Sequence, residues 1–299
     1  MVEEILALGF RRLELGYDTR LDLVEGIRAM IADRAVHVDS VHNFCPVPLT
    51  AHRAHPEIFT FAAKDRRVRE QAVHYTIETI RFAAAIGARV VVTHCGNVDM
   101  PRYTPELAAY CQQARGFTPE YEKLKLKLLA TREKKVRKQL LYWRQCLEQL
   151  LPELEAHRVV LAMENLPTWE AVPTEIELEQ TLQQFQSPWL KYWHDMGHGQ
   201  IRANLGFINV ERWLQRLQPH LAGLHVHDVR AAVCDHVMPP LGQIDFSRYK
   251  PVVTSHTHPL CVIEPAPQTP ADEVRAARIY LEKVWESAAG EQSNQGVIR

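Results

Sequence analysis

A regular alternation constrains this chain more than any other feature. Seven short apolar runs, rich in β-branched residues, recur along it: RRLELG (11–16), VHVDSVH (36–42), ARVVVTHCG (88–96), RVVLAMEN (158–165), LKYWHDMGH (190–198), LAGLHVHD (221–228) and PLCVIEP (259–265). Between them the apolar residues fall at helical spacing, as over 69–88, 134–157, 173–186 and 209–221. Residues 270–287 add a last helix, opened by Pro270 and Asp272. Strands alternating with helices read as βαβ units and hence as a parallel sheet. Near-continuous apolar strands fit a sheet covered on both faces. The fold class expected is α/β, a TIM (β/α)8-type barrel, which a chain of this length can form as one domain. Seven strands leave it one short. VEEILALGF at the start already reads as a helix leading into RRLELG. Either the chain begins after the first strand, or the barrel closes in another way.

The 299 residues are expected to form a single barrel over 1–290, with an insertion at about 99–131 and a polar, frayed tail at 291–299. The insertion follows a strand, so in a barrel it lies at the catalytic face and can act as a lid. Overlapping its end is a basic stretch, Lys123 to Lys138, interleaved with glutamate. That pattern reads as a solvated helix face, with phosphate contact as the sharper alternative.

The seven runs share a second property. They carry Glu14, His42, His94, Glu164, Asp195, His225 and Glu264 at or beside their C-terminal ends. In a parallel barrel these ends share one face, where active sites are built. Apolar core packing does not call for such residues, because an unpaired buried charge costs several kcal/mol. A divalent cation removes that cost. Glu164, Asp195, His225 and Glu264 would supply three carboxylates and one imidazole, a set that suits Mn²⁺, Co²⁺, Mg²⁺ or Zn²⁺. His42 and His94 could serve a second ion with Glu164 bridging, and His198 could join Asp235 and His236 for a third. His227 and Asp228 are open between ligand and support of the ligands. Taken singly, His42 and His94 also read as hydrogen-bonded structural residues. Glu14 reads as a salt-bridge partner of Arg11 or Arg12. His194, His256 and His258 show no pattern and read as surface or local structure.

Bulk properties narrow the partners. Lys+Arg 35 against Asp+Glu 36 gives a net charge of −1. No global basic field points to nucleic acid, although a local groove stays open. The N-terminus has neither a secretory signal nor a membrane span, so a cytoplasmic protein is expected. Six scattered cysteines without a C-x-x-C pair argue against a disulfide framework and a zinc finger. Cys45, Cys95 and Cys234 lie close to candidate ligands and read as passive. Homo-oligomerisation is left open.

The motifs together carry a resemblance. VH at 41–42, VVTHCG at 91–96, AMENLP at 162–167, HDMGH at 194–198, LHVHD at 224–228, DH…IDF at 235–246 and VIEP at 262–265 resemble the xylose isomerase-like TIM-barrel superfamily. Within it, the likeness is to the sugar phosphate isomerase/epimerase group related to AP endonucleases. It implies metal ligands at Glu164, Asp195, His225 and Glu264, with His198 nearby and Asp228 beside the histidine motif. The segment at 235–246 departs from the family: Asp235 and His236 are adjacent, and only Gly242 of two expected glycines remains. The distance from His236 to Ile244 still fits, which favours His236 over Asp235.

What the resemblance implies for function is a metal-dependent isomerase or epimerase of a small sugar, sugar phosphate or polyol, working through an enediolate-type intermediate. Glu164 and Glu264 would be its catalytic pair, Arg230, Asp228 and His198 would contact substrate, and His42, His94, Asp235 and His236 would serve a further metal or the substrate. The first alternative is a zinc-dependent phosphodiester hydrolase like the AP endonucleases, for which this chain has a candidate at every ligand position. DMGH rather than Thr-Cys between Asp and His, and the absence of excess positive charge, count against it. The second alternative is a non-catalytic barrel that binds a metal or a small molecule.

Overall fold

Residue parity along the strands explains how this fold presents its polar groups. The structure, a computed structural model, describes residues 2–286 and the backbone of 297–298. The seven runs form β1 (Arg12–Leu15), β2 (His37–His42), β3 (Val90–Thr93), β4 (Val160–Glu164), β5 (Leu190–Asp195), β6 (Leu221–Val226) and β9 (Leu260–Ile263). A hairpin, β7 (Asp228–Arg230) and β8 (Cys234–Val237), stands outside the barrel sheet. β10 (Val297–Ile298) lies between β9 and β1 and is parallel to both. With it the ring closes in the order β1-β10-β9-β6-β5-β4-β3-β2. The missing eighth position is thus occupied by two residues of the expected polar tail; 291–296 and 299 lie outside the described residues.

Successive side chains on a strand point to opposite faces. Val90 and Val92, Val160 and Ala162, Trp193, Leu260 and Val262 form one small core cluster with Ala222. Two residues further along the same faces come His94, Glu164, Asp195 and Glu264. The apolar plug and the polar mouth are therefore consecutive layers of the same columns. A much larger core lies between the sheet and the helices.

The helices are α1 (Val2–Ala7), α2 (Val24–Ala32), α3 (Arg66–Ile86), α4 (Thr104–Gln112), α5 (Pro119–His157), α6 (Glu175–Phe185), α7 (Met196–Asn204), α8 (Val210–Leu217), α9 (Lys250–Val253) and α10 (Ala271–Trp285). Asp65 caps α3 by accepting from Arg67 N at 2.8 Å, and Gly87 ends it in the left-handed region. Among the described residues no helix is long and apolar enough to cross a membrane.

Two stretches differ from expectation. The insertion at about 99–131 is largely helical: α4 lies within it, and α5 begins at Pro119, capped by Thr118. The basic stretch belongs to α5, and three of its members anchor that helix. Lys125 donates to Gly206 O at 2.8 Å and Lys135 to Asp99 O at 2.9 Å. Arg132 is buried and forms a two-pronged pair with Glu177 at 2.6 and 2.8 Å. The second difference is a long connection at 43–65, between β2 and α3, which the helical and strand patterns did not single out.

Removing one partner of a buried ion pair strands the other charge. Arg132→Ala is expected to lower the unfolding free energy by about 3 kcal/mol, roughly the penalty for such broken pairs. The additional change Glu177→Gln should recover part of that loss. Urea denaturation of the single and double variants checks both expectations.

Candidate metal centre

The mouth of the barrel gathers the candidate residues of the strand ends. Glu14, His42, Glu164, Asp195, His225, His227 and Asp228 are buried, His198 is 8% exposed, and His94, Glu264, Asp235 and His236 are half-buried. Glu164 is central. Its Oε2 lies 3.2 Å from Nε2 of both His42 and His94. Its Oε1 lies 3.3 Å from His225 Nδ1 and 3.5 Å from His198 Nδ1. His225 Nδ1 also sits 3.2 Å from Glu264 Oε2 and 3.8 Å from Asp195 Oδ2.

Asp195 closes β5 and caps α7. Its Oδ1 accepts from His198 N at 2.7 Å, while Oδ2 faces the centre. Asn165, the residue after Glu164, braces it from the other side: Asn165 Oδ1 accepts from Asp195 N at 2.9 Å, and Nδ2 donates to Asp195 O at 3.0 Å. AMENLP already contained this asparagine, but only packing reveals its task.

Backbone partners decide which nitrogen of each ring carries a proton. A carbonyl can only accept, so His42 Nδ1 donates to Asn43 O at 3.0 Å. Likewise His198 Nδ1 donates to Asn165 O at 3.0 Å. His225 Nε2 donates to Glu14 Oε1 at 3.0 Å, and Glu14 is itself held by Ser40 Oγ at 2.7 Å. The neutral rings therefore turn an unshared pair toward a carboxylate: Nε2 of His42 toward Glu164, Nε2 of His198 toward Asp235, 3.8 Å away, and Nδ1 of His225 toward Glu164 and Glu264. Two unshared pairs facing each other repel unless a proton or a metal ion lies between them. The donor set thus fits a divalent cation, with Glu14–His225 in the carboxylate–histidine arrangement that orients metal ligands.

Glu14 was expected to pair with Arg11 or Arg12. Instead Arg12 forms its pair with Asp39, at 2.8 and 2.5 Å, and Glu14 points at His225. Glu57 had no signal in the sequence, because it lies in the 43–65 connection away from any strand end. Its Oε1 stands 3.9 Å from His94 Nδ1, a buried atom with no hydrogen bond.

Protons carry the positive charge in the metal-free site. Burial opposes charge on His225, but Glu264, Glu14 and Glu164 outweigh it and raise its pKa well above the usual imidazole range. Burial likewise works against His198, and Asp195 and Glu164 overcome it to give a pKa of about 9. Burial resists ionisation of Glu164, yet His225 and His94 hold it well below the ordinary carboxylate value. Asp195 is lowered in the same way by His198 and His227 against its burial.

Four groups of side chains could each hold an ion: Glu164, Asp195 and His225; His42, His94 and Glu164; His198, His227 and His236; and Asp195, His227 and Glu264. In each, one ligand atom per residue falls within 4.8 Å of the others. The described chain therefore has a His/Glu/Asp cluster able to hold a metal.

Arg230 and Asp228 occupy different surroundings. The exposed Arg230 guanidinium donates to Leu241 O at 3.1 and 3.3 Å. Asp228 accepts backbone N–H bonds from Val229, Gly242 and Ile244 at 2.8 to 2.9 Å, which folds the 238–244 segment around it. This explains why Gly242 remains: a Cβ there would lie 2.4 Å from Asp228 Oδ1. His194 is buried, not at the surface, with its Nδ1 2.6 Å from Tyr192 Oη.

A family model described as "Xylose isomerase-like TIM barrel" matches residues 2–284. Among solved structures the chain is similar to a D-tagatose 3-epimerase-like protein, with TM-score 0.68, 18% identity, and coverage of 94% of this chain and 91% of the other. It is also similar to 3-keto-D-glucoside 4-epimerase YcjR from E. coli, with TM-score 0.67, 13% identity, and coverage of 94% and 92%. For D-psicose 3-epimerase from Clostridium cellulolyticum H10 the TM-score is 0.65, the identity 12% and the coverage 96% and 93%. No curated protein sequence matches.

Ion binding at these nitrogens must displace their protons. At pH 7 calorimetric titration with Zn²⁺ in two buffers of different protonation enthalpy should register release of at least about one proton per ion. Affinity should rise as pH is raised toward about 9, where His198 loses its proton unaided. Heat independent of the buffer would refute the imidazoles as ligands. His194 sets a separate pH dependence. Burial lowers its pKa to about 4, so the folded state refuses a proton that the unfolded chain takes up near pH 6.5. Its contribution to stability is present above about 6.5 and declines by up to about 3 kcal/mol as the pH falls to 4. Denaturation between pH 4 and 7 should show a shallower decline for His194→Gln.

Proposed function

Because the chain belongs to the xylose isomerase-like TIM-barrel family, we propose that it is a metal-dependent isomerase or epimerase of a small sugar, sugar phosphate or polyol. One observation carries this reading: Glu164 and Glu264 both approach His225 Nδ1, at 3.3 and 3.2 Å, with Asp195 on a third side. That pair places two carboxylates around one point at the open end of the barrel. The epimerase titles of the similar structures agree with it.

Glu164, Asp195, His225 and Glu264 would hold the ion, which supplies positive charge for the substrate's neighbouring oxygens. The remaining chemistry belongs to the chain. One glutamate takes the proton from the carbon beside the substrate carbonyl, and the C–H electron pair moves into an enediolate. The other glutamate, which enters the step protonated, returns a proton to the opposite face of the reacting carbon and inverts the centre; return to the neighbouring carbon, with the hydroxyl proton passing between the two oxygens, moves the carbonyl. Glu164 is held ionised by the imidazoles around it in the ion-free site, and a bound ion would take over that charge, so it is able to accept a proton. Glu264 has 12% side-chain exposure and faces the open mouth.

A second reading rests on the surplus of donors. His42 with His94, and His198 with His236, extend the cluster beyond the needs of one ion. A multi-ion site of that kind suits a phosphodiester hydrolase. Against this, the basic stretch is partly consumed in anchoring α5, which weakens it as a polyanion surface.

Incubation with ketohexoses in deuterated water, with Mn²⁺ or Co²⁺ added, tests the first reading. Deuterium should enter at the epimerised carbon. Glu264→Gln should slow that exchange by about a thousandfold, within the range of general acid–base contributions. Elemental analysis tests the second: about three zinc ions per chain and cleavage of an abasic oligonucleotide would establish the hydrolase instead. Neither exchange nor turnover with any sugar tested, together with such cleavage, would end the isomerase reading.

A further inference from the structure

One imidazole at the mouth has the opposite polarity from the others. His227 is fully buried, and its Nδ1 lies 2.9 Å from the backbone N of His236. A carbonyl, Asp228 O, also faces Nδ1 at 3.5 Å, but the His236 N–H is nearer and can only donate, so Nδ1 is the acceptor and carries no proton. The ring proton of the neutral form is then on Nε2, 2.9 Å from Asp195 Oδ2. His42 and His225 turn an unshared pair toward the central Glu164, and His198 turns one toward Asp235, while His225 gives its N–H to the outlying Glu14; His227 turns its N–H toward the central Asp195.

We propose that His227 is a positioning residue, which holds Asp195 by donating Nε2–H to Oδ2, and that it is not a ligand of any ion. The proposal rests on the reading of Asp195 as a metal ligand. Binding an ion through Nε2 would force the proton onto Nδ1. Two N–H groups would then face each other across 2.9 Å, with the His236 bond lost. The His236 N–H occupies Nδ1 and leaves Nε2 as the side of the ring that donates to Asp195.

The surroundings lock the ring in this orientation. His236 stacks on it at 4.2 Å between centroids, with 19° between planes. His236 has φ 52, in the left-handed region. On the other side the ring lies against the first turn of α7, where a Cβ on Gly197 would sit 2.0 Å from Cε1 and 2.3 Å from Nδ1. The glycine of HDMGH thus gives His227 room to reach the aspartate of the same motif. Asp195 is tied at both oxygens: Oδ1 by His198 N and Oδ2 by His227. Each oxygen keeps an unshared pair for a cation. Among the three imidazoles of His198, His227 and His236, the ligands of an outer ion reduce to His198 and His236.

The test uses the full-length protein with Zn²⁺ as the probe ion and no substrate. Elemental analysis gives the number of ions, and competition with a chelator gives their affinity. His227→Leu should keep the wild-type number of ions and weaken the tightest site by about 10- to 100-fold. His227→Gln places an amide N–H near the position of Nε2 and should return affinity to within about threefold of wild type, a rescue consistent with an orienting hydrogen bond. In ¹⁵N-histidine spectra of the wild type, the ring signal lost in His227→Gln should be protonated at Nε2 and bare at Nδ1. Loss of one ion in both variants, unchanged affinity in His227→Leu, or a proton on Nδ1 would overturn the proposal. Asp195→Asn separates the two layers: wild-type zinc binding there would remove Asp195 as a ligand, while the nitrogen spectra still decide the polarity of His227.

Discussion

Carboxylates buried against the unshared pairs of imidazole nitrogens are the constraint on which the rest of this structure depends. Each such contact is unfavourable until a positive charge enters it, and the mouth of the barrel contains two that share Glu164, from His42 and His225. Burying a carboxylate costs several kcal/mol before any partner is counted. The site meets that cost with protons on His225 and His198, or with a cation in their place. The same groups therefore link pH and metal affinity.

The barrel supplies the rigidity that holds such an arrangement together. Trp193 and the valines beneath the mouth form a packed plug, and the polar layer stands directly on it. Three site residues are further restrained by hydrogen bonds to or from the backbone: Asp195 through the first turn of α7 and Asn165, His42 by Asn43 O, His198 by Asn165 O. Asp228 gathers three amides and shapes the segment that follows the β7–β8 hairpin. That hairpin delivers the His236 amide to His227, so its conformation is coupled through one ring to Asp195.

Much of this was legible in the chain. Strand periodicity located seven of the eight barrel strands and placed Glu164, Asp195, His225 and Glu264 at or beside their C-terminal ends. The helical nature of 104–131 was not legible, because Pro105, Gly116 and Pro119 read as loop signals. Pro105 and Pro119 instead stand in the first turns of helices, where proline is tolerated. The role of Arg132 was hidden for a related reason: a basic run resembles a solvated face until one member finds a buried carboxylate 45 residues away.

The sequence by itself determined which side chains would share the mouth of the barrel. Alternation by two along a parallel strand sends residues of fixed parity inward, and the strand ends set their height. It could not determine what each imidazole does there. That depends on which ring nitrogen meets a carbonyl, an amide or a carboxylate, and those partners arrive from other parts of the chain. Glu14 reaches His225 across 211 residues, and the His236 amide reaches His227 across 9. Only closure of the barrel and folding of the hairpin bring them within 3.0 Å, and at that range a single proton's position separates a ligand from a support.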